Sequence, residues 1–207
     1  MRIGIVGAGN IGTAIAKRLA PQGHEIMLSY SREPAALAKS ARALGATSGT
    51  PSEAVAFGDV VALTVPWSTV FDALGQAGDL GQKILWDCTN ALNTDMSGLV
   101  VGTTTSGGEE IAKFAAGGRV VKGIPPFAQL LHSDDPTVGG RPVGVFVAGD
   151  DQQAKAIVAG LLTALPATVT DAGTLDAARF IEPAMMLLVR LAYGEGFGPR
   201  IALDLVR

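Results

Sequence analysis

Three glycines near the start of the chain have the spacing that binds a dinucleotide. After residues 1–6, which form a strand pattern, the chain reads Gly7-Ala8-Gly9-Asn10-Ile11-Gly12. In a strand–turn–helix unit, the first glycine of G-x-G-x-x-G allows a tight turn, the second lets a pyrophosphate approach the backbone, and the third lets the helix pack close to the strand. The helix N-terminus adds unpaired N–H groups and a partial positive charge. The pattern predicts a bound nicotinamide or flavin dinucleotide.

The end of the second predicted strand, residues 25–30, indicates which dinucleotide is bound. In NAD-binding proteins an acidic residue at this position holds the ribose 2′-hydroxyl group. No Asp or Glu stands there, and Ser31 and Arg32 follow instead. A hydroxyl and a guanidinium group are suited to the additional 2′-phosphate of NADP(H) through charge-assisted hydrogen bonds. The sequence therefore favours NADP(H), although Arg32 could also be an ordinary solvated charge.

The rest of the chain alternates between strand and helix patterns, which predicts an α/β protein with a Rossmann-like, doubly wound, mostly parallel sheet. Further strands are predicted at residues 59–65, 83–88, 119–124 and 143–148, and helices at residues 33–45, 68–74 with Ser68 as N-cap, 109–116, 151–165 and 174–192. We expect an NADP-binding domain over residues 1–150. A small C-terminal extension over residues 151–207 would supply dimerisation and acceptor-site helices.

Ligands of such sheets bind beyond the carboxyl ends of the strands. Three segments follow predicted strands there, and they would surround the nicotinamide ring and a flat apolar co-substrate. Pro66 would fix a turn, Trp67 would supply contact area or be a core residue, and Asn90 could hydrogen-bond the ribose or the carboxamide. The predicted cofactor contacts in these segments are Val65, Pro66, Trp67 and Asn90, and the predicted acceptor pocket is Ile124, Pro125 and Phe127.

The predicted helix over residues 174–192 is apolar around much of its circumference. Its own sheet can cover only one side, so the other side needs a partner subunit or a substrate. A core helix within one chain is the alternative. We expect a homodimer built on this helix.

Composition excludes several other kinds of protein. The net charge of −3 provides no basic face for nucleic acid, and the single cysteine, Cys88, is compatible with a reducing compartment. We find neither a signal peptide nor a membrane-spanning run, and we expect a cytoplasmic protein. The two histidines, His24 and His132, lack the spacing of metal ligands, so no metal site is predicted. Lys122 is a speculative proton or charge partner for a reduced acceptor.

Several short segments together resemble the NADPH-dependent coenzyme F-420 reductase family, and the same module resembles the cytoplasmic domain of STEAP-type ferric reductases. They are the glycine segment, residues 23–25, Ser31-Arg32, residues 64–67, residues 121–125 and residues 171–173. The resemblance covers essentially the whole chain. It implies hydride transfer between NADPH and a deazaflavin, a homodimer, and NADP contacts from Gly9, Asn10, Ile11, Ser31, Arg32, Pro66 and Trp67. Ile124 and Pro125 would lie near the ring-stacking site.

The chain departs from that family at Lys122, where a histidine is usual, and this departure leaves the acceptor open. Coenzyme F-420 or a flavin is the first candidate. A reductase of another small carbonyl or imine substrate is an alternative, although its chemistry needs an acid near the nicotinamide. A non-catalytic NADP(H) sensor is a second alternative, with Phe127 closing the nicotinamide end of the site.

Overall fold

Short apolar runs form a central sheet in the computed structural model, which describes residues 1–31, 33–115 and 117–206. The middle strands are buried along their whole length, as parallel strands covered on both faces must be. The strands are β1 (Arg2–Val6), β2 (Glu25–Ser29), β3 (Thr47–Ser48), β4 (Val60–Leu63), β5 (Ile84–Asp87), β6 (Arg119–Gly123), β7 (Val143–Gly149) and β8 (Ala167–Asp171).

The strand order is β3-β2-β1-β4-β5-β6-β7-β8. The first six strands have the order of a dinucleotide-binding fold, and the order reverses between β1 and β4, where ligands of such sheets bind. All pairs are parallel except β6 with β7. The predicted doubly wound, mostly parallel sheet is confirmed.

Helices cover both faces of the sheet. One apolar core joins the sheet to α1, α2, α6 and α7, and a second core on the opposite face joins it to α3, α4 and α5. The helices are α1 (Asn10–Leu19), α2 (Pro34–Ala43), α3 (Pro51–Phe57), α4 (Val70–Ala77), α5 (Gly107–Phe114), α6 (Ala128–His132), α7 (Gln152–Ala164) and α8 (Ala178–Val189). Among the described residues, no helix combines the length and apolar character needed to cross a bilayer.

Some predicted boundaries differ from the structure. The predicted N-cap Ser68 lies instead in a short 3-10 helix (Trp67–Thr69), and α4 begins after it. The predicted helix over residues 174–192 is divided into a 3-10 turn (Leu175–Ala177), α8 and a π-helical turn (Arg190–Gly194). The predicted domain boundary after residue 150 falls inside the continuous sheet, because α7 connects β7 to its neighbour β8.

Candidate cofactor-binding and active site

The glycine-rich loop joins β1 to α1 at the reversal of strand order. Gly7 has φ +125°, and a Cβ atom on it would lie 2.7 Å from Thr64 Oγ1. A Cβ atom on Gly12 would lie 2.0 Å from the Gly7 carbonyl oxygen, so only glycine lets α1 pack this close to the loop. A Cβ atom on Gly9 would contact nothing within 4 Å. The backbone at Gly9 is thus open to a ligand, whereas the space beside Gly7 and Gly12 is already filled by protein atoms.

The exposed residues Gly9 and Asn10 lie at the first turn of α1. The first four N–H groups of a helix have no intrahelical acceptor, and their partial positive charge attracts phosphate. Thr13 donates a hydrogen bond to the Gly9 carbonyl at 2.8 Å and fixes the loop to the helix. This geometry fits a pyrophosphate above Gly9.

The end of β2 carries no carboxylate in its described residues Ser29, Tyr30 and Ser31. Tyr30 has a left-handed backbone with φ +55°, and its hydroxyl group donates to Asp72 at 2.7 Å. Burial raises the pKa of Tyr30, and the bond to Asp72 adds to this effect. Ser31 is exposed. Arg32 lies outside the described residues, so its predicted contact with a 2′-phosphate stays a prediction.

The segment after β4 contributes a partly exposed aromatic surface. Pro66 is exposed, and Trp67 is half-buried, with its ring meeting Phe71 edge-on at a centroid distance of 5.4 Å. A cleft of about 560 Å³ opens beside these rings. It is lined by Trp67, Phe71, Val100, Val101, Gly102, Thr105 and Glu110. Trp67 therefore lines the cleft with part of its ring and packs against the core with the rest, and Val65 is buried.

The segment after β6 lies at the same edge of the sheet. Ile124 and Phe127 are half-buried, whereas Pro125 is buried. The ring of Phe127 meets Tyr193 edge-on at a centroid distance of 5.7 Å. Of the predicted acceptor residues, Phe127 therefore contacts the segment that follows α8, whereas the side chain of Pro125 is covered.

Behind this edge, three charged side chains meet in the interior and form what we call the buried triad: Asp87, Lys122 and Glu182. The Lys122 Nζ atom lies 2.6 Å from Asp87 Oδ2 and 2.8 Å from Glu182 Oε1. It also donates a hydrogen bond to the Thr89 carbonyl at 3.0 Å. The contact with Asp87 Oδ2 is a close ion pair without the direction of a good hydrogen bond.

Lys122 is fully buried, so its ammonium group does not face the cleft. Burial alone would lower the pKa of Lys122, but the carboxylates of Asp87 and Glu182 raise it above the ordinary lysine value. A lysine held as a cation by three acceptors is a poor proton donor to an acceptor molecule. This placement argues against the speculative catalytic role of Lys122 and indicates a structural charge.

Glu182 joins the buried triad to the N-terminus of α5. Its carboxylate accepts hydrogen bonds from the N–H groups of Gly107 at 2.8 Å and Gly108 at 2.9 Å. A Cβ atom on Gly107 would lie 3.0 Å from the ring of Trp67, and one on Gly108 would lie 3.0 Å from Lys122. The two glycines thus allow the close contact of α5 with the triad.

Asn90 stands between the buried triad and the candidate cofactor site. Its Nδ2 group donates to the main-chain carbonyl of Glu182 at 3.2 Å. Its Oδ1 atom is buried and has no hydrogen-bond donor within the described residues. An unpaired buried acceptor is costly, and a bound ligand with an N–H or O–H group would relieve it. Asn90 therefore fits the predicted contact with a ribose or carboxamide.

Comparisons with known proteins relate the chain to NADP-dependent oxidoreductases. Residues 2–91 match the family model described as NADP oxidoreductase, coenzyme F420-dependent. The match spans 90 of the 207 residues. The resemblance seen in the sequence is thereby confirmed, and so is the prediction of an NADP-dependent oxidoreductase.

Two solved structures resemble the whole chain. A protein of Arthrobacter sp. FB24, described as a candidate F420-dependent NADP-reductase, is 28% identical with a TM-score of 0.88, and each chain covers 100% of the other. A hypothetical protein of Sinorhizobium meliloti is 27% identical, with a TM-score of 0.75 and coverage of 100% of this chain and 95% of that one.

A more distant structure shares the fold alone. An imine reductase of Aspergillus terreus, solved in complex with NADPH4 and dibenz[c,e]azepine, is 20% identical with a TM-score of 0.68. The match covers 94% of this chain but only 62% of that enzyme. Its imine chemistry is not transferred by this likeness.

Sequence reasoning missed most of the buried triad. Asp87 ends the buried strand ILWD, Lys122 interrupts the apolar strand RVVKG, and Glu182 lies in the apolar helix ARFIEPAMMLLV. A lone charge in an apolar segment must be paired when the segment is buried. These three charges in apolar segments were therefore the sequence signal for a buried ionic cluster. Across the described ranges, no group of three His, Cys, Asp or Glu side chains could hold a metal ion.

Proposed function

We propose that this protein holds NADPH on its glycine-rich loop and catalyses hydride transfer to a flat redox acceptor, a deazaflavin or a flavin. The open backbone at Gly9, between two glycines that tolerate no side chain, carries the cofactor assignment. The acid-free end of β2, with Ser31 and Arg32 after it, favours the 2′-phosphorylated cofactor.

Each part of the site has a task in this proposal. The N-terminal turn of α1 neutralises the pyrophosphate, Asn90 accepts a hydrogen bond from the nicotinamide half, and Trp67 with Pro66 limits where the ring can lie. When bound, NADPH supplies the hydride. The protein contributes position and exclusion of water, which are the main requirements of direct hydride transfer.

The placement of Lys122 favours a flavin-like acceptor over a carbonyl or an imine. Reduction of a carbonyl needs a proton donor at the developing alkoxide, whereas a deazaflavin takes a hydride on carbon and a proton on a ring nitrogen that water can reach. The acid suggested by the sequence, Lys122, is buried and paired. The aromatic cleft beside Trp67 and Phe71 suits a flat ring.

The experiment for this proposal is a panel of acceptors, followed by loss of NADPH absorbance. A deazaflavin, a flavin and a cyclic imine are each incubated with the protein and NADPH. The proposal expects turnover with a deazaflavin or flavin. Turnover with the imine alone would favour the alternative enzyme, and NADPH binding without any turnover would favour a sensor.

We also propose that two copies of the chain associate through the outer face of α8 and the segment after it. Large apolar side chains are exposed on that face: Phe180 is 76%, Leu187 50% and Phe197 69% exposed. The adjacent face of α8, with Ile181 and Leu188, is buried in the same chain. An exposed apolar surface of this extent marks an interaction site, and twofold pairing is the commonest solution.

A further inference from the structure

The buried triad is an expensive arrangement for stability alone. Taking two carboxylates and one ammonium group out of water costs several kcal/mol per ion, and well-packed apolar residues often serve equally well. Two carboxylates face one ammonium group, and hydrogen bonds to the carboxylates offset the excess negative charge. Gly107 and Gly108 donate their N–H groups to Glu182 at the positive end of α5, and Thr89 donates its N–H and hydroxyl groups to Asp87. The arrangement therefore needs a reason beyond filling the interior.

The triad connects four elements at one point. Asp87 is the last residue of β5, Lys122 belongs to β6, Glu182 belongs to α8, and the Glu182 carboxylate holds the first turn of α5. The Glu182 carboxylate accepts directed hydrogen bonds from two N–H groups of α5, and its ion pair with Lys122 ties α8 to β6. Together these contacts fix the position of α8 at the edge of the sheet.

Two hydrogen bonds connect the buried triad to Asn90 and the residue before it. Lys122 holds the carbonyl of Thr89, the residue before Asn90. The main-chain carbonyl of Glu182 accepts from Asn90 Nδ2. With its amino group engaged there, the Asn90 amide leaves its oxygen as the remaining acceptor, and that buried oxygen has no donor within the described residues.

We propose that Glu182 and Lys122 are positioning residues that orient the Asn90 amide, so that its Oδ1 atom accepts a hydrogen bond from the nicotinamide half of bound NADPH. The C-terminal helix α8 thereby becomes part of the cofactor site, although it belongs to no phosphate loop. This inference rests on the proposed function, because it needs NADPH as the ligand.

The experiment compares two ligands on four variants. NADPH has the nicotinamide half, and adenosine 2′,5′-bisphosphate lacks it but keeps the 2′-phosphate. Dissociation constants for both are measured on Asn90→Ala, on Glu182→Gln, on the double variant and on Arg179→Gln. Arg179 is the matched control, because it also ties α8 to α5, through Glu109 at 2.6 and 2.8 Å, but from the half-exposed side.

We expect Glu182→Gln and Asn90→Ala each to raise the Kd for NADPH about tenfold, the value of one good hydrogen bond. The Kd for adenosine 2′,5′-bisphosphate should not change, and the double variant should match Asn90→Ala, because Glu182 acts through Asn90. Arg179→Gln should leave both constants unchanged. Thermal melts establish that each variant is folded, and Glu182→Asp replaces Glu182→Gln if the latter is not.

Two results would overturn the inference: equal weakening of both ligands by the Glu182 variant, or independent and additive effects of Asn90 and Glu182. In either case the unmodified protein would still bind NADPH. Failure of the proposed function gives a different result, because the unmodified protein would then not bind NADPH at all.

Discussion

Single residues of the glycine-rich loop perform two separable tasks. Gly7 and Gly12 serve the fold, since a Cβ atom on either would collide with Thr64 or with the loop backbone. Gly9 serves the ligand, since a Cβ atom there would meet only open space. This difference predicts opposite behaviour for the same substitution at two positions three residues apart.

Gly9→Val should abolish NADPH binding and leave the melting temperature close to that of the unmodified protein. Gly12→Val, the matched control, should instead lower stability, because its Cβ atom would start 2.0 Å from the Gly7 carbonyl oxygen. Thermal melts and NADPH titrations on both variants test this. Normal NADPH binding by Gly9→Val would show that the loop is not the pyrophosphate site.

Arg32→Ala tests the preference for NADPH over NADH that the sequence predicts. Loss of a charge-assisted hydrogen bond to the 2′-phosphate should cost about 1.5–3 kcal/mol of NADPH affinity and leave NADH affinity unchanged. Lys39→Ala, which removes a charge further along the same segment, is the control. An equal loss of NADH affinity in Arg32→Ala would contradict the assignment.

At individual positions, the sequence predicts the roles of the loop glycines and of the segments after the strands, but not the buried triad. The glycine spacing and the segments after β4, β5 and β6 follow from local pattern and from a general rule about parallel sheets. Lys122 pairs with Asp87, 35 positions before it, and with Glu182, 60 positions after it. No local sequence pattern encodes pairs so far apart along the chain. The exposed apolar surface of α8 agrees with the sequence, because its helical periodicity predicts more apolar surface than one sheet can cover.

Among the elements, α5 and α8 are joined by two clamps of different kinds. The inner clamp is Glu182 on the N–H groups of α5, and the outer clamp is the pair of Arg179 with Glu109. The hydrogen bond from Arg179 lowers the pKa of Glu109 below the ordinary 4.5, and Ser106 adds to the effect. The outer clamp therefore has a stability that depends on pH.

Because the folded pKa of Glu109 is depressed, the stabilisation is complete above the unfolded value near 4.5 and is lost as pH falls through the folded pKa. Arg179→Gln should thus lower the melting temperature at neutral pH, and the difference from the unmodified protein should shrink below about pH 4.5. Thermal melts of both proteins between about pH 3 and about pH 7 measure this difference in melting temperature. A difference independent of pH would contradict this account.

Long elements with strong patterns were predicted, and short or edge elements were not. The seven residues of α3 carry their own signal, since Thr50 and Glu53 form a reciprocal capping box before a short apolar stretch. β8 lies at the edge of the sheet and is mostly half-buried or exposed, so its pairing with β7 decides its structure. The π-helical turn after α8 has no local signal that we can identify.

The assembled protein is proposed to be a dimer, and this proposal predicts which substitutions release the monomer. Leu187→Glu and Phe180→Glu place charges on the outer face of α8 and should yield monomers that still bind NADPH. A standard interface buries about 800 Å² per partner. Phe114→Glu, at an exposed position at the end of α5 beside Phe71, is the control and should not change the mass. Light scattering at tens of micromolar, roughly the range in which such dimers persist, decides the question.

If the unmodified protein already has a monomeric mass in that experiment, the dimer is wrong. The exposed apolar face would then need another occupant. NADPH binding would be unaffected by this result, because the glycine-rich loop, the end of β2 and Asn90 all belong to one chain.

Titration of the unmodified protein with NADPH and with NADH, followed by cofactor fluorescence, tests the central claim most directly. The open backbone at Gly9 and the acid-free end of β2 predict saturable binding of both, with NADPH tighter by about tenfold or more. Equal affinity for the two cofactors, or binding of neither, would contradict the account.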